Sequence, residues 1–379
     1  MDSSSDTSSN AGLSRAYQDL AKIQNRVITP KKRELGNYVR DLYASGAKMF
    51  TKDMLRRAEA DLAKSPLPDQ TEILCMNGMT YAWDLARRRD DEIEEHNVPC
   101  LDFHIYQGLV FETERSFGSE ATEAIEDKIP ITDEDRAYAS QAVYVKWSTE
   151  NSPSHVDYAR LQEAWDESRE IWLNSDSCTH LTEALEKTKP KVQKLVCFGL
   201  GSLEGTAKYS SLEKLHIDGR PRRSAISQHL AAITMADVLG KQQGTARLPI
   251  LVQDPDYTTL AKEFLAAQDI EVVGGRGALG FTYIDDDSLV FSCHPNVPVK
   301  QIVADLARPA AMLWNEVEYE ERKPEFRVEV MGGEERLCWP WVTDEDSPRT
   351  REMVQEYDLH AFKLDVERFG ELAFYVRKD

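Results

Sequence analysis

The stretch Lys194-Leu-Val-Cys-Phe-Gly-Leu-Gly-Ser202 joins a short apolar run to two glycines. Residues 195–198 are apolar and β-forming, which predicts a buried strand. Gly199 and Gly201 then end the strand, and glycine allows both positive φ and the close approach of a ligand to the backbone. A buried strand that ends in a glycine turn is typical of α/β proteins that bind a ligand at the carboxyl edge of a parallel sheet.

Strands and helices alternate along the chain after this turn. Further strands are predicted at 248–252, 271–273 and 289–293, and helices at 224–239, at 258–267 and from Pro298 onward. Such alternation is typical of a parallel sheet that helices cover on both sides. The sequence therefore predicts an α/β fold, Rossmann-like, with a largely parallel sheet flanked by helices and a mostly helical N-terminal extension.

Five short motifs follow one another in this part of the chain. They are Phe198-Gly-Leu-Gly-Ser202, Ser224-Ala-Ile-Ser-Gln228-His-Leu-Ala231, Asp254-Pro255-Asp-Tyr-Thr258, Cys293-His294-Pro295 and Leu313-Trp314-Asn315. In this order they resemble the motifs of the SRR1-like (sensitivity to red light reduced) domain family, over roughly residues 191–318. The resemblance implies a fungal member of the family. It also implies a regulatory protein of light or circadian-type signalling, in which an enzymatic activity is not generally assigned.

The rest of the chain suggests three parts. Residues 1–12 are serine-rich and acidic and are expected to be a disordered tail, 13–190 a mostly helical N-terminal region, and 191–379 the SRR1-like α/β domain. Leu161, Trp165 and Trp172 share one helical stripe, which predicts that they are buried against the core. Residues 101–112 alternate in hydrophobicity, which predicts a strand.

Net charge, cysteine distribution and hydropathy indicate which partners and which cellular location to expect. The 379 residues carry a net charge of −20, which disfavours binding to nucleic acid or to anionic lipid. The six cysteines are scattered and contain no Cys-x-x-Cys pair, as in reduced intracellular proteins. No apolar run is long enough to span a bilayer, and the amino terminus lacks the features of a signal peptide. We expect a cytoplasmic protein that also has access to the nucleus, with protein partners that the sequence does not identify.

Polar residues gather where the predicted strands end. The candidate ligand-binding residues are Gly199, Gly201, Ser202, Gln228, Asp254, Tyr257, His294 and Asn296, with Ser227 and Cys293 beside them. Open α/β sheets bind ligands at this edge. An alternative is open, because Asp-Pro and His-Pro pairs also form turns that simply close strand ends.

These residue types can be assigned to several kinds of site. A dinucleotide fingerprint needs its glycines to lead directly into a helix, yet about twenty residues separate Gly201 from Ser224. S-adenosylmethionine would use the same turn, with Asp254 as the acid on the second strand. A triad of Ser202, Asp254 and His294 lacks a nucleophile elbow. A metal site from Cys197, His229, Cys293 and His294 lacks ligand spacing. A methyltransferase or an NAD(P)-dependent enzyme is therefore the alternative to a regulatory protein, and the cofactor is unknown.

Overall fold

The computed structural model describes residues 15–25, 30–86, 97–114, 130–149, 156–204, 221–321, 325–331, 334–360 and 365–378. The expected tail at 1–12 lies outside these residues. The helices are α1 (Arg15–Asn25), α2 (Pro30–Ala44), α3 (Lys52–Leu62), α4 (Tyr106–Glu114), α5 (Asp133–Ala139), α6 (Tyr158–Leu173), α7 (Asp176–Thr188), α8 (Arg223–Gln242), α9 (Thr259–Ala266), α10 (Val299–Leu306), α11 (Pro348–Met353) and α12 (Val366–Phe369).

Thirteen strands occur among the described residues. They are β1 (Gln70–Leu74), β2 (Thr80–Asp84), β3 (Asn97–Phe103), β4 (Val143–Thr149), β5 (Lys194–Phe198), β6 (Ile250–Gln253), β7 (Ile270–Val272), β8 (Ser288–Ser292), β9 (Ala311–Asn315), β10 (Arg327–Met331), β11 (Glu334–Cys338), β12 (Tyr357–His360) and β13 (Leu372–Arg377). Short 3-10 helices lie at Leu279–Tyr283 and Val354–Glu356.

A seven-stranded sheet forms the centre of the molecule, in the order β12-β13-β9-β8-β5-β6-β7. The five strands from β9 to β7 are mutually parallel, because each adjacent pair among them is parallel. The last strand, β13, runs antiparallel to both β9 and β12. The predicted Rossmann-like α/β fold is confirmed, with β5 at the centre of the parallel strands.

Each face of the sheet has its own apolar core. One face is covered by α6, α7, α8 and α9, and Leu161, Trp165 and Trp172 are buried there, as predicted. The other face is covered by α10 and by elements of the N-terminal region, including α2, α3 and β3. This region is helical as expected, and it also contains the antiparallel pairs β1–β2 and β3–β4.

The strand predicted at 101–112 is only partly correct. Strand β3 ends at Phe103, and the chain then forms α4 from Tyr106. Leu109, Val110 and Phe111 are all buried, which a strand with one covered face would not allow for three consecutive residues. Because α4 packs against α2, it is surrounded by apolar partners on several sides, and the apolar run carries no clear helical period.

The hydropathy of the described helices shows whether any of them could span a membrane. None of the helices in the described part of the chain is both long and apolar enough to cross a membrane.

Candidate functional site

The turn after β5 depends on its glycines. Gly199 has a φ of +65° and Gly201 a φ of +77°, a conformation that L side chains rarely adopt. A Cβ at Gly199 would also lie 2.8 Å from the Cα of Pro295, on the loop after β8. The turn therefore needs glycine for its backbone conformation and, at Gly199, for the close approach of two loops.

Asp254 connects this turn to the neighbouring strand. It follows β6, and its Oδ2 accepts the backbone N–H of Gly201 at 2.9 Å. Its Oδ1 accepts the N–H of Asp256, also at 2.9 Å. The carboxylate thus fixes the glycine turn against the end of β6, at the position where Rossmann-type proteins place an acid for the ribose of a nucleotide.

The long insertion between the turn and α8 leaves and returns at one point. Glu204 forms an isolated antiparallel bridge with Pro221, and the N–H of Arg222 donates to the carbonyl of Leu203 at 2.8 Å. The first turn of α8 consequently lies beside the glycines, and a Cβ at Gly201 would be 3.5 Å from that of Ala225. The intervening residues 205–220 lie outside the described chain, but they do not separate the turn from the helix in space.

Asp254 is electrostatically unusual. It keeps part of its surface exposed, yet burial raises the pKa of its carboxyl group to about 6, and the nearby Asp256 acts in the same direction. The two accepted N–H bonds and the charge of Arg222 oppose this rise in pKa. A carboxylate that ionises close to neutral pH beside a glycine turn is a typical feature of a binding site.

A buried pair lies beneath the turn. The hydroxyl of Tyr257 and Nε2 of His229 are 2.7 Å apart, and Nδ1 of His229 lies 2.8 Å from the carbonyl of Ala225. Burial lowers the pKa of His229 to about 4, so its imidazole is neutral at pH 7. In that form Nδ1 donates to the carbonyl and Nε2 accepts from Tyr257. The pair joins α8 to the loop after β6, so Tyr257 contributes to the floor below the turn.

Ser202 is also part of this floor. Its side chain is fully buried, and its hydroxyl accepts the N–H of Glu204 at 3.3 Å. Glu204 is buried too, and it accepts the hydroxyl of Thr258, the N-cap of α9. These bonds hold the base of the insertion against the segment that follows β6.

His294 lies on the other half of the same edge, directly after β8. It is exposed, and its φ of +44° is uncommon for a residue other than glycine. Its Nε2 is 3.4 Å from Nδ2 of Asn315, at the end of β9. The ring also packs against Gly370, where an added Cβ would lie 1.8 Å from Nε2. Strain of this kind is often found at functional sites.

The remaining candidates divide between the two halves. Gln228 donates its amide to the carbonyl of Arg368 at 2.6 Å, and Arg368 donates to the hydroxyl of Ser227 at 3.3 Å, so both contact α12. Asn296 is exposed beside His294, whereas Cys293 is buried. Both halves lie at the carboxyl edge and approach each other at Gly199 and Pro295. The side-chain hydrogen bonds join Gly201 to Asp254 in one half and Asn315 to His294 in the other.

Among the described residues, the contacts support neither the catalytic triad nor the metal site. In the described chain Ser202 and His294 share no hydrogen bond, and Ser202 is buried while His294 is exposed. No group of three or more His, Cys, Asp or Glu side chains suited to a metal ion occurs among the described residues. Burial also raises the pKa of the Cys293 thiol well above its ordinary value, which disfavours a thiolate ligand.

Sequence reasoning missed three residues of this edge. Arg222 lies near Asp254, Asn315 contacts His294, and Gly370 packs on the His294 ring. The motif Leu313-Trp314-Asn315 carried a signal for Asn315, because it is one of the five motifs on which the family resemblance rests. Gly370 has no comparable signal, because it follows α12 and meets His294 only through the fold.

Comparison with known proteins gives one match. The family model described as SRR1 domain matches residues 173–373, slightly more than half of the chain. No curated protein and no solved structure matches the chain at a significant level.

Proposed function

Because the chain belongs to the SRR1 domain family, we propose that it is a regulatory protein that binds a nucleotide-type small molecule in the crevice at the carboxyl edge of its sheet. The motif resemblance supports a role in light or circadian-type regulation, exerted through this crevice or through protein contacts. The proposed location is the cytoplasm with access to the nucleus, in keeping with the acidic composition and scattered cysteines.

One observation carries the ligand proposal. The glycine turn after β5, the first turn of α8 and the carboxylate of Asp254 meet at one place. The N-terminus of a helix offers free N–H groups to a phosphate or carboxylate, and bare glycine backbone lets such a group come close. An acid on the next strand suits ribose hydroxyls. The combination favours a ligand that has both an anionic group and a ribose.

A thermal-shift screen of the full chain tests this proposal. NAD, NADP, S-adenosylmethionine and common nucleotides are compared, because a ligand that binds only the folded state raises its Tm. We expect at least one adenosine-containing compound to raise the Tm of the wild type and to have a smaller effect on Asp254→Asn. The proposal fails if no compound shifts the wild type, or if the shift is the same in the variant.

A second candidate is an S-adenosylmethionine-dependent methyltransferase, and the strand order favours it over an NAD(P)-dependent enzyme. Numbered along the chain, the seven strands lie in the order 3-2-1-4-5-7-6, with the seventh reversed. Dinucleotide-binding domains have the order 3-2-1-4-5-6. A reversed seventh strand inserted beside the fifth is the arrangement of Rossmann-like methyltransferases, although fold alone does not establish function.

The same screen separates the two candidates when S-adenosylhomocysteine is added. A methyltransferase binds this product as well as the cofactor, so both compounds should raise the Tm while NAD does not. Stabilisation by nucleotides alone, with no effect of either sulfur compound, would remove the methyltransferase from consideration and leave the regulatory proposal in place.

The division of the chain is likewise a proposal. We propose that residues 191–379 are the SRR1-like α/β domain and that 13–190 are an N-terminal region packed upon it. The shared apolar core between the second face of the sheet and α2, α3 and β3 supports this packing. The full chain should therefore unfold in a single transition, whereas two separate calorimetric transitions would show that the regions are independent.

A further inference from the structure

Four aromatic rings meet at the base of the β10–β11 hairpin. Phe326 precedes β10, Trp339 and Trp341 follow β11, and Phe111 belongs to α4. The ring centroids of Phe111 and Phe326 are 4.9 Å apart, and those of Trp339 and Trp341 are 6.5 Å apart. Phe111 also contacts both tryptophans, at 5.2 and 5.4 Å. We call these four residues the aromatic surface.

Anchoring of the hairpin explains only part of this cluster. Phe111 is buried and joins the hairpin base to α4, which is a structural role. Trp339, in contrast, is 49% exposed. Large exposed apolar groups recur nearby, since Tyr319, Val330 and Val342 are each more than half exposed. Groups of exposed aromatic and apolar side chains often mark a site of protein contact.

The charge of the same segment indicates what kind of partner would fit. Residues 316–341 contain eight glutamates and four basic residues, a net charge of −4. Arg327 is paired with Glu329 at 2.6 Å, and Arg351 reaches the segment from α11 by donating to the carbonyls of Glu318 and Glu320. Glu325 is exposed directly beside Phe326. The segment that carries Phe326, Trp339 and Trp341 is therefore acidic overall.

We propose that the aromatic surface and its neighbouring glutamates form a docking site for an arginine- or lysine-rich segment of a partner protein. A guanidinium or ammonium group is attracted to the face of a tryptophan ring, and carboxylates around the ring strengthen and orient this attraction. The four rings pack on one another, so the partner's cations lie over the exposed Trp339 rather than inside a cage. This site is independent of whether the strand-end crevice holds a ligand.

The acidic segment that leads to the aromatic surface begins beside the candidate crevice. The acidic segment begins immediately after β9, at the carboxyl edge where Asn315 contacts His294. The N–H of Val317 then donates to the hydroxyl of Tyr375 on β13, which fixes the start of the segment to the sheet. The segment that carries the aromatic surface is therefore attached to the sheet at the edge that holds the candidate crevice.

Fluorescence anisotropy of the full chain tests the docking site. The probe is a fluorescein-labelled peptide of alternating arginine and glycine, and the control peptide replaces arginine with glutamate. We expect the arginine peptide alone to bind, and Trp339→Ala to weaken its binding about threefold to tenfold. Trp339→Phe should retain most of the affinity. Raising the salt from about 50 to about 200 mM should weaken binding, since exposed charges are screened.

Two further variants make the test specific. Glu325→Lys reverses an exposed charge without touching the rings, so it should also weaken binding and remains informative if Trp339→Ala disturbs the fold. Tyr138→Ala is the matched control, because Tyr138 is 62% exposed on α5, whose first turn carries three acids, and its ring is not one of the four in the aromatic surface. The proposal is overturned if the arginine peptide does not bind, or if Trp339→Ala binds as wild type or no worse than Tyr138→Ala.

Discussion

The two faces of the central sheet are covered by different kinds of contact. On one face, here called the dry face, helices α6 to α9 bury no Asp, Glu, Lys or Arg side chain. On the other, called the polar face, α3 buries Glu59, and α10 buries Lys300 and Asp305. The dry face is held by apolar burial and by hydrogen bonds between uncharged groups, whereas the polar face adds ion pairs that must find matching partners.

The partners on the polar face come from distant parts of the chain. Asp305 accepts from Arg349 at 2.7 Å and from the backbone N–H groups of Met49 and Phe50. Lys300 is paired with Asp346 at 2.5 Å, and both side chains are almost fully buried. Since buried ions are costly unless they are paired, the Asp305 contacts fix how the N-terminal region is placed on the sheet, and the Lys300–Asp346 pair holds the segment before α11 against α10. Apolar packing on the dry face is less selective about its partners.

The largest expected effect follows from breaking the ion pair of Asp305. Asp305→Ala leaves the guanidinium of Arg349 and two backbone N–H groups without their acceptor in a buried place. We expect the free energy of unfolding to fall by about 3–5 kcal/mol, as is usual when one member of a buried pair is removed. Urea unfolding monitored by circular dichroism measures this loss.

An exposed pair provides the control for that variant. Asp237 pairs with Arg247 at 2.6 Å, but both side chains reach solvent. Asp237→Ala should therefore cost less than about 1 kcal/mol. Equal losses in the two variants would show that the ion pairs of the polar face have no special role in holding the N-terminal region.

A smaller loss is expected on the dry face from Trp172→Phe. Trp172 is buried, donates its Nε1–H to the hydroxyl of Thr234 at 2.9 Å, and packs on Phe369. The substitution removes one hydrogen bond and part of a ring, so unfolding should become easier by about 2 kcal/mol. The adjacent Ile171 is 46% exposed, and Ile171→Ala should change stability by about 0.5 kcal/mol or less.

The same difference between the faces explains what the sequence could predict. Trp165 and Trp172 were expected to be buried because an amphipathic stripe is visible within one helix. The order of β5 to β8 was visible as apolar runs that alternate with helices. The pairing of Asp305 with Arg349 was not, because it joins residues 44 positions apart and depends on tertiary placement. Helix α4 was read as a strand because it is buried on several sides and lost its period.

Gly201→Ala is expected to destabilise the turn of the candidate site. An alanine at a φ of +77° costs about 1–2 kcal/mol of folding free energy, because its Cβ crowds the backbone. Gly274 is the control, since it lacks a positive φ and a Cβ there would meet no atom within 4 Å. Gly274→Ala should be neutral or slightly stabilising. Thermal unfolding of both variants checks the difference, and an unaffected Gly201→Ala would contradict the strained turn.

The sequence could predict only those residues of the candidate site that directly follow a predicted strand. Gly199, Gly201 and Asp254 were found because each follows a predicted strand, and Gly201 and Asp254 are now joined by a hydrogen bond. The insertion before α8 separates the turn from its helix in sequence but not in space, because Glu204 and Pro221 meet, and residue types do not reveal that contact. The contact of Gly370 with His294 requires glycine, but the residue type does not reveal a partner 76 positions away in the chain.

The smallest expected effect is a change in the pH dependence of stability in Asp254→Asn. The pKa of Asp254 is about 6 in the folded protein, whereas an ordinary aspartate has a pKa near 3.8. The folded state therefore binds the proton more tightly, so this carboxyl group favours folding fully only below about pH 4 and loses that contribution as the pH rises through about 6. Asparagine does not titrate. The wild type should thus lose about 1 kcal/mol more than the variant between pH 5 and pH 7. Urea unfolding at a series of pH values measures how the free energy of unfolding of each protein changes with pH. Equal pH dependence in the two proteins would mean that burial does not raise the pKa of Asp254. A steeper wild-type slope that disappears when an adenosine compound is added would link the same carboxylate to the proposed crevice.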